Sequence, residues 1–138
     1  MSIFRLLSSL PRPILHNKCV GCNGCKLSSE HIIPISMLRE LSISEAKHDP
    51  HNIFLICHSL NKKKGNGSIQ SSQLYRQLTD EGKGIIARAI LYMEYKYHIP
   101  PHDKDLFLLW VNLYPPSDLE KSRYLHLRDI YGINPLLE

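Results

Sequence analysis

Apolar residues follow two different rhythms along this chain. Between residues 18 and 57 they come in short runs bounded by polar or turn-forming residues, as in "KLSSEHII" and "NIFLI". Runs of that length with Ile, Phe and Leu predict β-strands. Residues 18–33 then read as a tight hairpin region, with Ile32 and Ile33 in strand. Pro34 suits the first turn of a short helix over "ISMLREL". "SEAKHDPHN" reads as a polar loop, and "CHSLNKKKGNG" as a short helix stopped by Gly65 and Gly67.

From residue 79 the rhythm becomes helical. Thr79 or Asp80 can cap a helix through "EGKGIIARAILYMEYKYHI", with Ile85, Ala89, Tyr92 and Met93 on one face. Pro100 and Pro101 end it, and "DKDLFLLWVNLY" predicts a second helix closed by Pro115 and Pro116. Ser117 and Glu120 have the spacing of a capping box for a third helix ending at Gly132. Trp110 and the tyrosines on these helices are expected in the core. The expected class is therefore α+β: a small finger of strands and helix over 18–67, a helical scaffold over 79–132, and one domain across 1–138.

Composition narrows the class only slightly. The chain has 138 residues, 43% hydrophobic and 22% charged, ordinary values for a globular protein and against global disorder. Net charge is +4 and pI about 8.9, a balance that suits an anionic partner without specifying one. No apolar stretch approaches the roughly 18 residues a membrane span needs, so a membrane partner is not expected. The segment "MSIFRLLSSLPRPIL" is broken by Arg5, Pro11 and Pro13 and has no basic region ahead of it, unlike a secretion signal. An intracellular address is the expectation, with export left open.

The cysteines add chemistry. Cys19, Cys22 and Cys25 form "CVGCNGC", and Cys57 stands alone. A Gly-containing turn lets thiolates three residues apart face one tetrahedral ion, so the spacing favours a metal over disulfides. Reduced thiols in a cysteine-rich loop are the plainer alternative.

Glu30 and His31 are adjacent on the first predicted strand, so their side chains diverge to opposite faces. Downstream, "DPHNIFLICHSLNKKKGN" (49–66) supplies Asn52 before a strand and Asn61 on the following helix, then a Lys/Gly/Asn tail. A neutral imidazole can take a proton from water near neutral pH. A carboxylate and an amide oxygen are hard ligands for Mg²⁺, which can shield a departing oxyanion. Such a set suits phosphodiester hydrolysis and outlines a ββα-metal finger.

"EHIIPIS" with that downstream stretch resembles the endonuclease I family of non-specific nucleases, within the His-Me finger (HNH) superfamily. "GKGIIARAILYMEYKY", "LFLLWVNLYPPSDLEKSR" and "YGINP" resemble its helical region in order and spacing, so the likeness spans roughly residues 28–136. The resemblance implies an endonuclease using Mg²⁺, or Mn²⁺ or another divalent ion. Its substrate would be DNA, double- or single-stranded, with RNA as a further substrate class. His31 matches the general base, Glu30 and Asn61 the metal ligands, and Asn52 the residue bracing the loop between the finger's halves. Lys62, Lys63, Lys64 and Asn66 fall where phosphate contacts are expected, and His51, beside Asn52, is either a supporting group behind the site or a phosphate-facing one. The family's phosphate-stabilising arginine has no clear match, Arg39 and the lysines being the candidates. Lys64 stands where an Arg is usual, Leu119 where an aromatic is, and Tyr131 where a Gln is.

Zinc-stapled members of the superfamily place C-x2-C pairs on either side of the finger. Cys19, Cys22 and Cys57 match three of those places, while the fourth is Leu60, with Cys25 or His58 as replacement. The likeness implies a structural Zn²⁺. Two other readings stand beside the nuclease: a non-catalytic DNA-binding protein retaining the finger, and a site-preferring nicking enzyme. The sequence leaves the oligomeric state open.

Overall fold

The computed structural model describes residues 27–57 and 78–138, with backbone alone at 27–30 and 55–57. Leu27–His31 (β1) and Ile53–Cys57 (β2) pair antiparallel, in a register that sets Glu30 opposite Phe54 and His31 opposite Ile53. Three longer helices follow: Asp80–Tyr97, Lys104–Leu113 and Asp118–Tyr131. With the short helix Ile35–Glu40 before them, these are α1 to α4 in chain order. The described part is thus mainly helical, with one two-stranded sheet. None of its helices is long and apolar enough to cross a membrane.

Local rules account for the element ends. Thr79 Oγ1 accepts the Gly82 N–H at 2.9 Å, and Asp80 and Glu81 place negative charge in the first turn of α2. That helix stops one turn before the prolines: His98 takes a left-handed conformation at φ 55°, and the Ile99 N–H returns to the Glu94 carbonyl. Ile85, Ala89, Tyr92 and Met93 are all buried, as their spacing predicts.

The expected capping box of α4 forms only by half. Ser117 Oγ accepts the Glu120 N–H at 3.2 Å, but the Glu120 carboxylate turns inward to Arg88. Arg88 Nε and Nη2 donate to its two oxygens at 2.7 and 2.5 Å, and Nη1 donates to the Tyr114 carbonyl at 2.7 Å. Arg88 and Glu120 are 1% and 3% exposed, so an ion pair joins α2 to α4 inside the protein. Satisfying a buried guanidinium outweighs a reciprocal cap that water can replace.

Two other expectations need correction. Ile32 and Ile33 lie just past β1 rather than in it, yet both are core residues, packed with Leu38, Phe54, Ile86, Met93 and Trp110. "SEAKHDPHN" is no solvated loop. It forms two 3-10 turns, Ser44–His48 and Pro50–Asn52, and buries Asp49, His51 and Asn52. Polar residues go inside here because each finds partners there.

Candidate active site

His31 ends β1, and the turn 44–52 leads into β2 opposite it. The half-buried imidazole places Nε2 3.0 Å from the Lys47 carbonyl oxygen. A carbonyl only accepts, so Nε2 carries the proton in this contact, and in the neutral ring the lone pair falls to Nδ1. The bond therefore selects the tautomer and fixes the plane of the ring.

Asn52 holds the same region from the other side. Completely buried, it accepts the Ile33 N–H through Oδ1 at 2.7 Å and donates from Nδ2 to the Ile33 carbonyl at 3.1 Å. Its own carbonyl accepts the Ile32 N–H at 2.9 Å. Three hydrogen bonds thus extend the β1–β2 pairing past His31, and they do so without strand geometry. Both side-chain bonds of Asn52 go to the backbone of Ile33. Its place is that of a clamp on the segment carrying the histidine.

Between these contacts lies Asp49, which the sequence reading passed over. Oδ1 accepts the His51 backbone N–H at 3.0 Å and stands 2.7 Å from His51 Nδ1. Oδ2 accepts from Tyr92 Oη at 2.8 Å, Tyr97 Oη at 2.7 Å and Lys96 Nζ at 3.1 Å. Burial by itself would raise this carboxyl's pKa. The hydrogen bonds and electrostatics of His51, with the Tyr97 hydrogen bond, outweigh it and hold Asp49 well below the usual carboxylate range. Burial and the adjacent carboxylate push the Tyr92 and Tyr97 hydroxyls up, so both remain donors.

Arg123 backs the same turn from α4. Its Nη2 donates to the Pro50 and Ile53 carbonyls, and its guanidinium lies 4.1 Å over the Phe54 ring. Burial brings its pKa down to about 10 against the raising influence of Glu120 and Asp49, which leaves it a cation at neutral pH. A charged group from each of α2 and α4 therefore converges on nine residues of turn.

No protein-family model matches the chain, and no curated protein matches it. The site therefore rests on its own geometry.

His31 and Asn52 are brought to one place, joined through Ile33 and the 44–52 turn. Glu30 is beside His31 by backbone register, and Cys57 ends β2 opposite Leu27. Asn61, Lys62, Lys63, Lys64, Asn66, Cys19, Cys22 and Cys25 lie outside the described residues, as does the expected helix after Cys57. Among the described residues no group of three His, Cys, Asp or Glu is placed to hold a metal. Arg39 is exposed in the last turn of α1. His51 needs correction as a phosphate-facing group: it is 4% exposed, bonded to Asp49 and stacked 4.2 Å from the Tyr92 ring. An imidazole so enclosed cannot meet a polyanion.

Tyr92, Lys96 and Tyr97 carried a legible signal. Residues 92 and 96 share a helix face by their spacing, and a tyrosine–lysine stripe on an otherwise apolar face needs an acceptor. The Asp-Pro pair at 49–50 is likewise a signature of a capped turn, as the Asp49 bond to the His51 N–H makes it.

Proposed function

We propose that the protein is a metal-dependent endonuclease that hydrolyses phosphodiester bonds of DNA, with His31 as general base on a ββα-metal finger. The observation that carries this reading is the His31 Nε2–Lys47 carbonyl bond. It fixes the tautomer in which Nδ1 is the acceptor, on a ring at the end of a strand beside Glu30.

In the proposed step a water oxygen attacks phosphorus while its proton passes to His31 Nδ1. The opposite P–O bond breaks, and the leaving oxygen takes a proton from solvent. Glu30 and Asn61 offer a carboxylate and an amide oxygen, a hard donor set that fits Mg²⁺. Bound there, the ion would supply Lewis-acid stabilisation of the charged transition state. Lys62 to Lys64 offer charge to the phosphate backbone, so little base discrimination is expected and affinity should fall steeply with salt.

Supercoiled-plasmid cleavage tests the reading. Wild-type protein with Mg²⁺ should nick the plasmid, chelator should stop it, and His31→Ala should be inactive while still binding DNA. Tight binding without cleavage under several divalent ions would instead support the non-catalytic DNA-binding reading. Cleavage surviving in His31→Ala would displace His31 from the mechanism.

A further inference from the structure

The turn that orients His31 is tied to α2 through one carboxylate, that of Asp49. Asp49 follows two residues after Lys47, whose carbonyl meets the His31 ring, and precedes the Asn52 clamp by three. Its backbone closes both turns, since the Asp49 N–H donates to the Ala46 carbonyl and the Asn52 N–H donates to the Asp49 carbonyl. Its side chain then binds the turn to α2, because Tyr92, Lys96 and Tyr97 all donate to Oδ2.

We propose that Asp49 is a positioning residue for His31, an inference that rests on reading His31 as the base. Two donor groups converge on one oxygen of Asp49 and three on the other. Only a carboxylate accepts at both oxygens. An asparagine of the same shape must turn an NH₂ group toward one of those donor sets. Released from α2, the turn loses the fixed direction of the Lys47 carbonyl, and with it the constraint on the His31 tautomer.

Ring ¹⁵N shifts of His31 test this, since a residue that matters only for stability would leave them unchanged in a folded variant. In wild type His31 should be predominantly the Nε2–H tautomer. In Asp49→Asn, below its unfolding temperature, the shifts should move toward a mixture of tautomers. With plasmid as substrate, kcat should fall on the order of tenfold to a hundredfold, as for other losses of positional precision, with KM little changed. Lys96→Met and Tyr97→Phe each remove one donor at a half-exposed position, and should shift His31 the same way by less if Asp49→Asn does not fold. Unchanged His31 shifts in the folded variants would overturn the proposal. Absence of cleavage by wild type would remove the nuclease reading and leave the tautomer result standing.

A different observation concerns His51. Its Nε2 is the one buried side-chain nitrogen or oxygen without a hydrogen-bond partner among the described residues. The ring lines a partly open pocket of about 20 Å³ whose walls are mostly apolar, from Phe54, Ile85 and Leu127, with Arg123 and Asn134 among its polar members. That volume exceeds the roughly 10–15 Å³ a water needs, and the unpartnered His51 Nε2 gives a water a polar anchor in an otherwise mostly apolar pocket. We infer that one internal water sits there, bonded to His51 Nε2. Nuclear Overhauser contacts between a long-lived water and the His51 ring proton are expected. A dry cavity, with the Nε2 shift of an unbonded lone pair, would overturn this.

Discussion

Replacing Asn52 with alanine separates two quantities that His31→Ala does not. The substitution deletes both side-chain bonds to Ile33 and strands that residue's N–H and carbonyl beside a fully buried position. Each stranded backbone group costs about 1–3 kcal/mol. A total near 3 kcal/mol follows, since partial relaxation recovers some of it. For a chain of 138 residues the unfolding entropy is about 0.3 kcal/mol/K, so Tm should drop by about 10 °C. Asn52→Asp sharpens the test. Its ionised carboxylate would set an oxygen against the Ile33 carbonyl, whereas the protonated acid can donate to it as Nδ2 does now. Its folded pKa should lie above the ordinary carboxylate value near 3.9. The stability deficit against wild type, small below that value, should then grow as pH rises through the folded pKa. Urea unfolding of both variants and wild type between pH 4 and 8 measures this. A cost below about 1 kcal/mol for Asn52→Ala would refute the clamp, as would an Asn52→Asp deficit that shrinks as pH rises.

Three further outcomes follow from the buried polar framework. Glu120→Ala leaves the Arg88 cation uncompensated and should cost about 3–5 kcal/mol, while Arg88→Met with Glu120→Leu should restore most of it in a double-mutant cycle. Gly84→Ala should destabilise by about 1–3 kcal/mol despite the helix preference for alanine, because its Cβ would sit 2.4 Å from the Tyr114 carbonyl oxygen; a gain in Tm would contradict that packing. Asp49 has a depressed folded pKa, so its contribution is full above the unfolded value near 3.9 and is lost as pH falls toward the folded one. The gap in urea stability between wild type and Asp49→Asn should accordingly narrow from pH 5 to pH 2.

Most of the helical half was legible because its signals are local. Thr79 and Ser117 cap where their positions predict, and the 3.6-residue pattern of α2 marks its buried face. What local patterns missed were polar residues whose partners are distant in sequence. Arg88 and Glu120 are 32 positions apart, and Asp49 and Tyr97 are 48. Nothing next to Glu120 distinguishes an inward carboxylate from the reciprocal half of a capping box. The same holds for "SEAKHDPHN": its polarity matches a surface loop until α2 supplies the hydroxyls and ammonium that make burial favourable. Asn52 was found only because the family likeness marked it as a brace. His51 was left by the same likeness between a supporting and a phosphate-facing role, and its burial against Asp49 is compatible only with the first.

The distribution of these polar groups bears on how the site is built. A hairpin of two five-residue strands is too short to fix a histidine ring by itself. The ring's orientation has to come from outside the sheet. The 44–52 turn supplies it, and that turn is tied to α2 by Asp49 and to α4 by Arg123. The helices therefore set His31's geometry without contributing a reacting group. If the proposed nuclease reading holds, substitutions at Tyr92 or Arg123 should consequently lower kcat, as expected for Asp49→Asn, with KM little changed.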